Sequence, residues 1–150
     1  MATDCQLCDE SSLPNSQLPD WDSYSEQTLN KLGSKKLSVF VVWLPFVNGD
    51  SRDKAAEAMK VLTDRRAKHF WDSKSEIGKA FAEHIKLPKD EKLSVAWDYY
   101  ALFEARAKWQ SAPPAPSEWM HQLAGIAPER QLDGDRFRKA VEKLLKSLDK

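Results

Sequence analysis

At 150 residues, with 23 basic against 23 acidic side chains and 41% hydrophobic residues, the chain is long enough for one domain that buries about 68–70% of the surface its unfolded form exposes, with no disulfide scaffold. A formal charge of zero argues against nucleic acid or an anionic membrane as the main partner, since both call for a basic excess or a basic face. No apolar run approaches the roughly 20 residues that span a bilayer, and Met1 to Glu10 lacks the basic start and apolar stretch of an export signal, so the chain reads as soluble, with its compartment left open.

Residues 1–20 are polar and broken by Pro14 and Pro19, and read as a loosely held arm ahead of a domain over residues 21–150. The arm carries Cys5 and Cys8, a Cys-x-x-Cys pair. That spacing reads as a redox pair, half a metal site or a bystander pair; a closed zinc site needs four ligands, and no second such pair completes one. Asp4, Asp9 and Glu10 surround the thiols with negative charge, which disfavours the thiolate.

Asp20 or Asp22 is placed to cap a helix from about Ser23 to Leu32, with Gly33 as its stop. The near-continuous apolar run from Leu37 to Leu44 predicts a parallel strand covered on both faces at the centre of a sheet. Asn48, Gly49 and Asp50 predict a turn, and Asp50 is positioned to cap a helix whose Ala55, Ala58, Met59 and Leu62 share one face. Arg65, Arg66 and Lys68 then read as a solvated turn, with phosphate binding as the sharper alternative, ahead of a short strand from Lys68 to Trp71. Strand, helix, strand at this spacing predicts a parallel crossover unit.

Ser73 and Glu76 form a capping-box pattern for a helix with Ile77, Ala80, Phe81 and Ile85 on one side, ended at Leu87 by Pro88. From Leu93 to Phe103 the apolar residues alternate, a strand period. Arg106 and Lys108 alternate with Ala105, Ala107 and Trp109, which predicts an antiparallel return strand after a turn near Glu104. Ala112 to Pro116 is a Pro-rich loop, and Asp133 caps a last helix from about Asp135 to Leu148 with Phe137, Ala140, Val141, Leu144, Leu145 and Leu148 on one stripe.

This order of helices and strands, over residues 23–148 and behind Thr3-Asp4-Cys5-Gln6-Leu7-Cys8, resembles the thioredoxin-like family in the variant with an extra helix and strand before the final hairpin. The resemblance implies an α/β three-layer sandwich, a central mixed sheet with helices on both faces. It reads as a shortened form in which the strand ahead of the motif has no counterpart. It further implies thiol–disulfide exchange with a protein dithiol or disulfide, Cys5 attacking and Cys8 resolving, with no cofactor.

The six tryptophans supply the rival reading. Trp43, Trp71 and Trp97 fall on predicted strands, where large aromatics fill a core. Trp109 and Trp119 flank the Pro-rich loop, and with Met120 and His121 they are expected to wall a groove at the sheet's end, Trp43, Pro45 and Asp50 lying on the same rim. Such a rim suits a redox-silent module holding a protein segment or a small ligand. His69 and His84 read as packed or surface residues. With five glycines and no Gly-rich phosphate loop or Gly-x-Ser-x-Gly elbow, nucleotide-binding and hydrolase chemistry fall away.

Overall fold

The expected crossover unit is present: in the computed structural model, β1 (Val39–Trp43) and β2 (Ala67–Trp71) are parallel, in register from Val39 opposite Ala67 to Trp43 opposite Trp71, with helix α1 (Arg52–Ala58) between them. The structure describes residues 29–60, 62–87, 94–123 and 126–148. Cys5, Cys8, Pro88 and Leu93, and with them the arm and the start of the first expected helix, lie outside these residues.

The start of α1 differs from the expected cap by one residue. Ser51, in extended backbone, accepts from the Lys54 N–H, whereas Asp50 turns back. Its Oδ2 accepts from the N–H groups of Phe46 (2.8 Å) and Val47 (2.9 Å), closing a loop that Gly49 turns at φ +92°. These two bonds hold the Asp50 carboxyl below its usual pKa.

Helix α2 (Glu76–His84) is also capped from outside its own pattern. Ser73 takes no part; Ser75 is the capping position, at φ +54°, and the Asp72 carboxylate accepts from the Ile77 N–H at 2.7 Å. The helix then lies close to the chain before β3 because position 78 has no side chain. A Cβ there would meet Val95 Cγ1 at 2.5 Å and Leu44 Cδ1 at 3.0 Å, while the Gly78 carbonyl accepts from the Ala96 N–H.

Two expectations for the strands are corrected. The alternation from Leu93 to Phe103 becomes a strand only at β3 (Tyr99–Leu102), and its antiparallel partner is β4 (Glu118–His121), beyond the Pro-rich loop. Residues 105–109 form no strand. Their alternation pairs basic residues with alanine and supplies too little β-forming side chain to hold a ladder. Likewise no described residue covers the outer face of β1: Phe40 is 62% exposed and its neighbour Phe70 on β2 is 47% exposed.

Among the described residues the pair β3–β4 is the one with helices on both sides. Tyr99, Trp119 and His121 share one face and pack towards α2 through Phe81, while Tyr100 and Leu102 on the other face meet Phe137 and Val141 of helix α3 (Gly134–Ser147). Two clusters of buried side chains follow this division. One joins Ala82, Leu87, Ala96 and Leu123; the other joins Leu32, Leu102 and Val141. Asp133 caps α3 as expected, accepting from the Arg136 N–H. Among the described residues β1–β2 and β3–β4 are two separate two-stranded sheets, so the observed architecture is a mixed α/β one. No helix among the described residues is long and apolar enough to cross a membrane.

Candidate aromatic binding face

The β3–β4 register dictates which aromatics meet. Tyr99 lies opposite His121 and Ala101 opposite Trp119, and because side chains alternate along a strand, the rings of Tyr99, Trp119 and His121 occupy one face. Tyr99 and Trp119 have centroids 5.8 Å apart, Trp119 and His121 5.9 Å. From Tyr99 the contacts pass to Phe81 of α2 at 5.1 Å, and from Phe81 to Trp109, edge-on at 5.4 Å, and Phe103 at 6.1 Å. The outer members are open: Trp109 is 49% exposed and Phe103 36%.

At the inner end the Arg130 guanidinium lies over the Trp119 ring, 4.9 Å from its centroid. A short 3-10 turn, Pro128–Arg130, brings it there, and its Nη1 donates to Glu118 Oε1. Glu118 also accepts from the Trp119 N–H. The position of the arginine is therefore set by the strand that carries the tryptophan.

His121 is completely buried and its ring is committed. The Leu123 N–H donates to Nδ1 at 3.0 Å, so the proton resides on Nε2, which donates to the Ala127 carbonyl at 3.3 Å. Burial holds this imidazole below its ordinary pKa, and protonating Nδ1 would break the bond from Leu123. With Leu132 N–H on the His121 carbonyl and the Gln131 amide on the Leu123 carbonyl, His121 organises the loop behind the face and does not line it.

The rest of the expected rim divides differently. Trp119 and Trp109 belong to one chain of rings, linked by Phe81 and Tyr99. Trp43 instead stacks on His69 across the parallel pair, and its Nε1 donates to His69 Nδ1 at 3.1 Å, leaving Nε2 to donate to the Leu62 carbonyl. Pro45 is half-buried in the loop after β1, and its neighbour Phe46 covers Trp97, with centroids 4.2 Å apart. Phe81 and Tyr99 are the members that the rim expectation missed: Phe81 was legible as apolar helix face, but no sequence spacing sets a helix residue against a strand residue 18 positions away.

Two donors behind this face have no acceptor among the described residues: Tyr99 Oη and Trp97 Nε1, both buried. Burial pushes the Tyr99 hydroxyl well above its ordinary pKa, with the Arg130 charge opposing, so it remains a proton donor at any physiological pH. Among the described residues no group of three or more His, Cys, Asp or Glu side chains is arranged to hold a metal. Two open depressions, one along α3 beside Lys139 and Lys143 and one between residues 29–35 and 63–66, have none of these aromatics in their walls. Comparison with family models, curated proteins and solved structures found no match.

Proposed function

We propose that the protein is a binding module that holds a protein segment against the aromatic edge of Trp109, Phe103 and Phe81, with Trp119 and Arg130 at its inner end. The observation that carries this reading is the unbroken run of ring contacts from the partly buried Tyr99 out to the half-exposed Trp109. Rigid, partly exposed aromatics backed by a packed core are the residues that dominate protein interfaces, because covering them removes a large apolar area at small conformational cost. A Trp ring left half in water with its inner edge fixed on Phe81 is prepared for such a contact.

Selection of peptides from a random display library on the full chain tests it. Enriched peptides should bind Trp109→Ala at least about thirtyfold more weakly, as expected for a hot-spot tryptophan worth about 2 kcal/mol, with little change in the variant's stability. Peptides that bind Trp109→Ala as tightly as the parent would remove the reading.

The second reading is a thioredoxin-like domain exchanging disulfides through Cys5 and Cys8. It is supported by the order parallel strand–helix–strand, helix, antiparallel pair, final helix, and by α2 and α3 on opposite faces of β3–β4. It predicts that Cys5→Ser abolishes reduction of a model disulfide and that the pair has a reduction potential between about −270 and −120 mV. Thiols that titrate near pH 8.5 and reduce nothing would end it.

A further inference from the structure

The outer face of β1–β2 is an anomaly for a parallel pair. Parallel strands are ordinarily covered on both sides, and an isolated pair of strands is marginal in water. Yet here Phe40 (62% exposed) and Phe70 (47%) stack on each other in solvent with centroids 6.2 Å apart, and Lys68 Nζ lies 5.8 Å from the Phe40 ring. Phe40 is directly opposite Lys68 and Val42 opposite Phe70, so these four side chains form one continuous face, apolar with a cation at its middle.

The chain that would reach this face is the segment before Leu29. It joins the described structure beside the start of β2, where the Arg66 guanidinium donates to the carbonyls of Leu29, Leu32 and Ser34. Trp21 is eight residues upstream, which spans up to about 27 Å if extended or about 12 Å if helical. A five-residue strand is about 17 Å long, and Lys68 is two residues beyond Arg66, so Trp21 has the reach in either conformation.

Charge selects this occupant. Residues 1–28 hold six carboxylates (Asp4, Asp9, Glu10, Asp20, Asp22, Glu26) and no lysine or arginine, so in a chain of zero formal charge the remainder is positive by six. Asp20 and Asp22 bracket Trp21, with Leu18 and Tyr24 three residues to either side, which gives a mixed apolar and acidic segment complementary in charge to phenylalanines around a lysine. A second copy stacked face to face would instead oppose two Lys68 side chains.

We infer that the N-terminal segment, through Leu18, Trp21 and Tyr24 with Asp20 and Asp22 towards Lys68, covers the Phe40–Phe70 face of the parallel pair. This surface is distinct from the Trp109 edge and does not depend on the function proposed above.

Hydroxyl-radical footprinting of the full chain tests it, with Phe46 (48% exposed) as internal reference. A bare face gives Phe40 the fastest oxidation and Phe70 a rate equal to Phe46. A covered face puts both below Phe46 by about twofold or more, since a docked indole removes most of what a phenyl edge exposes. Trp21→Ala should restore the bare order. Lys68→Glu should expose the face too, and Asp20→Lys with Asp22→Lys in the Lys68→Glu background should protect it again. The bare order in the parent chain would overturn the inference. So would protection that ignores Trp21→Ala and grows with protein concentration, which is a second copy, or a Trp21→Ala effect at Phe103 and Trp109 instead.

Discussion

Arg66 shows how a single side chain can carry a junction that its local sequence disguises. Between Arg65 and Lys68 it reads as one of several solvated cations, but its side chain is only 17% exposed and its guanidinium serves the carbonyls of Leu29, Leu32 and Ser34 as well as Asp64. Nothing in the sequence marks this, because the acceptors are backbone carbonyls, which every residue has. Arg66→Lys is expected to lose about 2 kcal/mol in urea unfolding, since an ammonium cannot hold the same fork of acceptors. The Arg66 partner holds the Asp64 carboxyl down to about 2. Its folded pKa is below the unfolded one, so its contribution is whole above about pH 4 and is lost as pH falls towards 2. His121 works in the same direction at milder pH. Its folded pKa is depressed by burial, so the unfolded chain binds the proton more readily and stability falls as pH drops below about 6.5. Glu129, the acidic group acting on it, opposes this only in part. Urea midpoints at pH 7.5 and 5.5 should therefore differ for the parent and differ less for His121→Gln.

The elements divide by how far their signals are local. Helix α3, with its cap at Asp133 and one apolar stripe, was legible almost to the residue, because periodicity and capping are local chemistry. The β1–α1–β2 unit was legible in its order and its parallel pairing, though α1 starts from Ser51 and not Asp50 and ends at Ala58, short of the Leu62 its apolar pattern suggested. The partner of β3 was not: the alternation from Ala105 to Trp109 is a valid strand period, but a ladder also needs side chains worth burying on one face, and only Glu118–His121 brings Trp119, Met120 and His121. Of the expected rim, Trp109 and Trp119 were legible as aromatics on either side of the Pro-rich loop and are joined through Phe81 and Tyr99, whereas His121 lies behind the face. Trp43 stands elsewhere because its donor N–H is matched to His69. At Gly78 the signal is the absence of a side chain. Gly78→Ala adds helix propensity yet must push Val95 and Leu44 aside, and should destabilise by about 1–3 kcal/mol. Lys79→Ala, on the exposed side of the same helix, should be neutral within about 0.5 kcal/mol by thermal or urea unfolding.

At the scale of the whole molecule, the sheet that the described helices cover on both sides is β3–β4 and not the hydrophobic run at Val39–Val42. An apolar run reports that side chains can be buried, but which sheet is covered on both sides is decided by where helices land, and α2 and α3 both land on β3–β4. Native-state hydrogen exchange should accordingly find the slowest amides in β3–β4 and α3, with β1–β2 opening at lower free energy. The same sheet fixes the ring chain that runs outward to Trp109, and this can be watched directly. Full-length protein labelled with 5-fluorotryptophan, titrated with a selected peptide and followed by fluorine NMR, should show the Trp109 resonance shifting most and Trp119 next, with Trp43 and Trp71 unmoved. Shifts at Trp43 or Trp71 while Trp109 and Trp119 stay in place would contradict a binding face on this sheet.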